Sequence, residues 1–506
     1  MGEPVDSPNT TLQREIGLLD ATMIVVGSMI GSGIFLTSAE SSRIIGSPGW
    51  LLVAWALAGL LTVTGAVCCA ELSAMMPRAG GQYVFLREAY GEIAGFLFGW
   101  SMFLVVQTGT IAAVAVAFSK FLGVLAPGIS AENYLLKPYR VDPHYAVSLS
   151  TQQLASILVI VLLTAVNTRG LKVGTTVQTF LTLIKTAALF GLIAVGLTLG
   201  WNHGAAAWTS SWWNPAAQGW SVETAAPGWT LGAGFAFVLL LGKAMIGPLF
   251  SQTAWNSVTF TGGETRDPGQ TLPRALLLGC ISVVVLYLLA NLAYLVTLPF
   301  DAIQHADQDR VGTAMMEAAF DRIGYGSVGL YVMAVAILIS TFGCDNGLIL
   351  SGARVYYAMA RDGLFFAKAA TINRRHVPAA ALVAQGVWAC LLTLPRTVKD
   401  VPGKTPEFGN VYTQLLEYIV SADLSFYALM VGAVVMLRFR KPDAERPYRT
   451  FAYPLPPLIY LTLTTLLLID LVVLSPTTSG MGFAIVLLGI PVYGLTRLAR
   501  SRSTLA

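Results

Sequence analysis

Lys185, Asp345 and Asp423 stand inside long apolar runs, where an ionisable side chain is costly. A charge at that depth marks a ligand or ion path unless a partner neutralises it. The backbone offers a second kind of chemistry. Gly27-Ser28-Met29-Ile30-Gly31-Ser32-Gly33-Ile34-Phe35 lies within the apolar run 17–45, and each glycine costs a helix roughly 1 kcal/mol relative to alanine. Such a stretch is either a small-residue face for close helix packing or an unwound segment lining a wet cavity. Groups for covalent or metal chemistry are scattered. His144, His203, His305 and His376 fall in loops, and Cys68, Cys69, Cys280, Cys344 and Cys390 lie in apolar spans as small hydrophobes. The chemistry is therefore non-covalent binding, with no enzyme, metal or cofactor implied.

Membrane helices must position these groups. The 506 residues are 55% hydrophobic and 11% charged, with mean hydropathy +0.66, which excludes an ordinary soluble protein. A bilayer takes about 20 apolar residues per crossing. Twelve spans are predicted, at 17–45, 48–76, 92–124, 151–167, 175–200, 229–260, 273–298, 327–360, 378–395, 409–437, 453–474 and 480–497. The loops on the side of the termini carry roughly twice as many Lys and Arg residues as the other loops, which predicts cytoplasmic termini in an inner (plasma) membrane. No cleavable signal is read in the polar, partly acidic start, and a net charge of +4 gives no argument for nucleic acid. External loops 125–150, 201–228 and 299–326 are long, and Trp201, Trp208, Trp212, Trp213 and Trp220 read as interfacial anchors. Segment 81–90 reads as an amphipathic helix along the inner surface.

The sixth span mirrors the first. Gly247-Pro248 followed by Ser251-Gln252-Thr253 interrupts another apolar helix, because proline removes a backbone donor and hydroxyl or amide side chains compete for backbone partners. Interrupted spans one and six, five apart, fit inverted repeats of five plus five helices. The second break favours an unwound binding segment at the first. A channel would want a continuous polar pore, and a sensor an added soluble domain; neither pattern is seen.

An ordered set of motifs then resembles the amino acid–polyamine–organocation superfamily, and within it the L-type amino acid transporters that serve as light chains. The set is Gly31-Ser32-Gly33-Ile34-Phe35, Phe250 with Trp255-Asn256, Glu264, Asp267-Pro268 and Leu272-Pro273. It continues with Phe342-Gly343, Asn346-Gly347, Leu437-Arg438-Phe439-Arg440-Lys441-Pro442 and Arg446-Pro447. The resemblance covers almost the whole chain. It implies an all-α, leucine-transporter-like fold: 1–16 as the cytoplasmic N-terminus, 17–200 and 229–437 as inverted repeats, 453–497 as two peripheral spans, 498–506 as the cytoplasmic tail. It also implies sodium-independent movement of amino acids, commonly by exchange.

Both breaks suit an amino acid. The N–H groups of Ser32, Gly33 and Ile34, with the positive end of the second half-helix, suit a carboxylate; carbonyls closing the first halves suit an ammonium. Contacts are expected from Met29, Ile30, Gly31, Ser32 and Gly33 in span one and Phe250, Ser251, Gln252 and Thr253 in span six. By matching position, Met29, Phe250 and Thr253 supply carbonyls to the amine and Phe250 closes as a gate. Lys185 takes the place that sodium fills in sodium-coupled relatives, bridging spans one and eight. Asp345 and Asp423 depart from relatives that select large neutral amino acids. They are expected at the side-chain end of the pocket, pairing with a polar or cationic side chain; or they pair with Lys185, Lys243 or Arg354, or titrate as proton sites in a proton-coupled carrier of cationic amino acids or polyamines. Lys243 is expected in the external vestibule, and Glu71 and Glu264 at the cytoplasmic face. A light chain linked to a glycoprotein carries a cysteine in the loop between spans three and four; loop 125–150 has none, so no disulfide-linked heavy chain is expected. The expected partners are the substrate and the lipid.

Overall fold

The computed structural model describes residues 14–143, 145–201, 210–225, 233–399, 407–408, 411–474 and 476–503. The readings at 1–13, His144, His203, Trp208, 229–232 and 504–506 lie outside the described residues. Nine described segments are helical, long and apolar enough to cross a bilayer. Three shorter apolar helices, Thr151–Asn167, Ala379–Leu392 and Gly482–Arg497, lie where spans four, nine and twelve are read.

The first span is two helices. Helix α1 (Leu18–Met29) ends where Ile30 turns extended, and α2 (Gly33–Ile45) starts after Ser32. Then come α3 (Pro48–Met75), α4 (Gln82–Tyr90), α5 (Glu92–Ser101) and α6 (Gln107–Leu125). A π-helical turn at Met102–Val106 separates α5 from α6, a bulge that the sequence does not announce. Strands β1 (Tyr134–Asp142) and β2 (Tyr145–Ser150) precede α7 (Thr151–Asn167) and α8 (Leu171–Thr198). The sixth span is α9 (Ala233–Ala244), α10 (Ile246–Ser251) and the short α11 (Ser257–Phe260). Helices α12 (Pro268–Thr297), α13 (Gly326–Arg361) and α14 (Ala379–Leu392) follow. After strands β3 (Pro395–Lys399) and β4 (Glu407–Phe408) come α15 (Val411–Arg440), α16 (Leu455–Leu474) and α17 (Pro476–Ser503). Helix α1 packs against α8, α12 and α13, and α2 against α9 and α10. The break regions are thus buried by the other helices, while Phe235 and Val238 of α9 stay exposed.

Three readings are corrected. The sixth span does not unwind at Gly247-Pro248. Helix α10 runs through both, because Pro248 falls in its first turn, where no amide donor is needed. The chain leaves the helix at Gln252, and Ala254 takes a left-handed φ of 65°, a strained conformation for a non-glycine. Helix α4 is packed into the protein rather than laid against lipid by its apolar face: Gln82, Tyr83, Val84, Phe85, Leu86 and Ala89 are buried. The loop between spans three and four folds as a hairpin, and β1 to β4 form one antiparallel sheet in that order. At the opposite end, Ile16 pairs with Thr265. The tryptophan loop is also more than an anchor. The indole of Trp220 donates to Ile44 O at 3.0 Å and that of Trp50 donates to Trp213 O at 3.2 Å. Gly46, at φ 70°, and Gly49 leave the room that Trp220 and Trp213 fill.

Candidate functional site

At the first break, the orphan carbonyls that end a helix need partners, and they find them on three other spans. The Lys185 ammonium, fully buried on α8, donates to Gly27 O and, at 2.8 Å, to Ile30 O. Cys344 Sγ donates to Ser28 O at 3.1 Å and Tyr287 Oη to Met29 O at 2.8 Å. Ser340 Oγ reaches Ile30 O at 3.3 Å and Gly31 O at 3.4 Å. Lys185 also lies beside Gly343 of α13. Met29 O, expected to serve a substrate amine, already accepts from Tyr287, so only its second lone pair is open to another donor. Tyr287 and Ser340 were not singled out in the sequence, since a lone Tyr or Ser in an apolar span carries no spacing signal.

Past the break, Gly33 and Ile34 open the second half-helix, and their amides stand among the first N–H groups, which have no intrahelical partner. This end meets the sixth span directly. A Cβ on Gly33 would sit 2.1 Å from Ser251 Oγ. Ser251 Oγ donates to Gly247 O at 2.7 Å and lies 3.1 Å from Thr37 Oγ1. Of the predicted contacts, Met29 to Gly33 and Ser251 therefore form one assembly. Phe250, the residue before Ser251, is buried.

A small cavity opens beside the second break, lined by Thr62, Gln252, Thr253, Trp255, Asp423 and Tyr427 among others. Its polar groups are partly unspent. Gln252 Nε2 donates to Trp55 O at 3.4 Å, while Gln252 Oε1 and Trp55 Nε1 have no partner among the described residues. Below it, Trp255 stacks on Tyr427 with ring centroids 5.0 Å apart, and Tyr427 Oη donates to Asn256 Oδ1 at 3.0 Å. Asn256 Nδ2 in turn donates to Gln82 Oε1 at 2.6 Å, which explains why α4 is drawn inside. Asp423 thus joins Gln252 and Thr253. Asp345 does not, contrary to expectation: it is absent from this lining. It is buried on α13 near Cys390 of α14, with no hydrogen-bond partner to either carboxylate oxygen among the described residues. One helical position away, Cys344 points to the break; the 100° step between neighbours turns Asp345 from it.

With that geometry in place, residues 16–491 match the amino acid permease family model. The chain belongs to this family. It is 30% identical over 485 residues to the large neutral amino acids transporter small subunit 2 of Mus musculus, covering 96% of this chain and 81% of the relative. It is 29% identical over 509 residues to the Asc-type amino acid transporter 1 of Homo sapiens, covering 99% and 85%. With the b(0,+)-type amino acid transporter 1 of Oryctolagus cuniculus it shares 28% over 447 residues, covering 88% and 80%. As a permease of the amino acid–polyamine–organocation superfamily, it is a carrier rather than an enzyme.

Ion pairs tie this permease together on the side of Ile16. Glu264 pairs with Arg354 at 2.9 Å, each side chain 1% exposed. Glu71 takes Arg438 at 2.7 Å, Arg446 at 3.3 Å and the Thr450 amide at 2.7 Å. Asp362 accepts from Arg87 and, at 2.7 Å, from Tyr83; burial, and then that carboxylate, push the Tyr83 phenol upward. Lys441, bonded to Glu88 at 3.0 Å, holds the Glu88 carboxyl below its ordinary range.

Proposed function

We propose that this permease is a sodium-independent secondary transporter that exchanges L-amino acids by alternating access. The observation that carries the reading is the Lys185 ammonium bonded to the carbonyls of Gly27 and Ile30. A fixed positive charge on the first break neutralises its carbonyl dipoles permanently, which is the service a bound cation would otherwise give. The relatives named as amino acid transporters support the substrate class. In this reading 17–200 and 229–437 rock as inverted repeats around the breaks, and both termini face the cytoplasm. The substrate carboxylate takes the amides of Ser32, Gly33 and Ile34; its amine takes the carbonyls of Met29, Phe250 and Thr253. Phe250 is the gate. Asp423, with Gln252 and Thr253, gives the side-chain cavity its polar, acidic character and favours a polar or cationic side chain. The carrier works without a disulfide-linked heavy chain, since none of its cysteines lies in the loop that would hold the bridge.

Asp345 supports a second reading. A buried carboxyl without hydrogen-bond partners is uncharged unless solvated, so it is a candidate proton carrier in a proton-coupled uptake of cationic amino acids or polyamines. Proteoliposome uptake of a panel of labelled amino acids and polyamines separates the two. Exchange predicts uptake that needs internal substrate, ignores sodium and ignores a pH gradient. Uptake from empty vesicles driven by a proton gradient would establish the second reading instead.

A further inference from the structure

Where α7 ends and α14 begins, the side of Ile16 carries basic residues without acidic partners. Nearby, Arg87, Arg354, Arg438, Arg446 and Lys441 each hold a carboxylate. Arg169, Arg374 and Arg375 are exposed and form no ion pair among the described residues. Segments 168–174 and 361–377 contain one acidic residue, Asp362, and Arg87 and Tyr83 already take it. Helices α7 and α14 contain none. The turn that presents these arginines is pinned. Asn373 Oδ1 accepts from the amides of Arg375 at 2.9 Å and Val377 at 3.2 Å, and Asn373 Nδ2 donates to Thr168 O at 3.0 Å. Arg375 Nη1 reaches Arg169 O at 3.4 Å, so the three arginines share one corner.

Apolar stripes of the same two helices run away from that corner. Leu158, Val161 and Leu162 of α7 are 59, 54 and 52% exposed, and Val383, Val387 and Leu391 of α14 are 50, 57 and 48% exposed. Spacings of three and four residues keep each set on one helix face. Helices α7 and α14 pack together, so closely that a Cβ on Gly386 would meet Thr164 Oγ1 at 2.6 Å. A cationic corner joined to an apolar surface matches a phospholipid, in which an anionic phosphate is joined to acyl chains. We propose that this corner binds an anionic phospholipid of the leaflet on the side of Ile16. Arg169, Arg374 and Arg375 take the headgroup phosphate, and the acyl chains lie along the α7 and α14 stripes. Arginine suits a phosphate because its planar guanidinium forks onto two oxygens. Charge complementarity favours an acidic lipid over a zwitterionic one, whose ammonium would meet three cations and no carboxylate among the described residues. Bound there, the lipid braces α7 against α14.

The test uses the purified full chain in detergent, titrated with phosphatidylglycerol, phosphatidylcholine or inorganic phosphate while thermal unfolding is followed. A ligand that binds only the folded state raises the melting temperature as its concentration passes Kd. Phosphatidylglycerol raises it at concentrations where phosphatidylcholine and inorganic phosphate do not. Replacing the arginines together, as Arg169→Gln, Arg374→Gln and Arg375→Gln, moves the half-effective phosphatidylglycerol concentration up about a hundredfold, at roughly fivefold per cation beside an anionic lipid. The corresponding three lysine replacements keep the charges and stay within about tenfold of wild type. An equal rise with phosphatidylcholine overturns the choice of an anionic headgroup, and an equal rise with inorganic phosphate overturns the choice of a lipid. A glutamine variant that answers phosphatidylglycerol as the wild type does overturns the site outright. If that variant fails to fold, the wild-type comparison of the two lipids decides alone. These readouts need no transport, so they stand whether or not the exchange reading survives its own test.

Discussion

Replacing Lys185 by methionine removes the only charge bonded to the first break among the described residues. Two hydrogen bonds go, to Gly27 O and Ile30 O. Bonds from a charged donor contribute about 1.5–3 kcal/mol each, so the lower bound for both is about 3 kcal/mol. The ammonium is fully buried, and its removal recovers a desolvation cost of several kcal/mol. Global stability therefore changes little in Lys185→Met, and the loss falls on the geometry of the break. If those 3 kcal/mol hold the break in its transport-competent shape, the competent fraction drops roughly 100-fold. Uptake of labelled amino acid into preloaded proteoliposomes, with the fraction of folded protein matched by size-exclusion chromatography, gives the ratio directly. A variant that transports within threefold of wild type would refute the assignment of Lys185 as a fixed cation substitute.

Gly33→Ala places a Cβ 2.1 Å from Ser251 Oγ and 2.8 Å from Ser251 Cα. Overpacking of about 1–3 kcal/mol is expected to cut uptake at least tenfold at normal yield, and wild-type rates would show that the arms do not need this contact. Asp423→Asn should weaken competition by arginine or lysine about tenfold while sparing neutral amino acids. Asp345→Asn should leave that competition profile unchanged, and a shift in it would bring Asp345 into the pocket after all. Glu264→Gln leaves Arg354 buried without its carboxylate, which costs about 3–5 kcal/mol; a detergent melting temperature lower by several degrees is expected, and an unchanged one would count against that ion pair as a brace.

What was legible in the sequence was what composition and breakers encode. Apolar length placed the spans, and the glycines from Gly27 to Gly33 marked a stretch open to two readings, which the interruption of the sixth span decided. The second break was read over Gly247 to Ala254, and only its latter part, from Gln252, is unwound. Proline reads as a breaker, yet Pro248 occupies the one helical turn that tolerates it, and no local signal announces the left-handed Ala254. Lys185 meets the first break, but the face of α13 that carries Asp345 was not legible. Asp345 and Cys344 are neighbours in sequence and point to different helices, and with apolar residues all round there was no periodic pattern to orient either side chain. Long-range partners such as Tyr287 for Met29 O, or Gln82 for Asn256, depend on packing between spans far apart in the chain. The hairpin was missed because tyrosines and valines beside charged residues at 134–150 were read as loop; β1 is almost wholly exposed, so hydrophobic alternation is weak there.

Sodium-free exchange by the purified wild-type chain bears most directly on the central claim. With sodium replaced by choline on both sides, proteoliposomes preloaded with unlabelled amino acid should take up the labelled form as fast as in sodium, while empty vesicles take up little. Uptake that requires sodium would contradict the fixed-charge account built on Lys185.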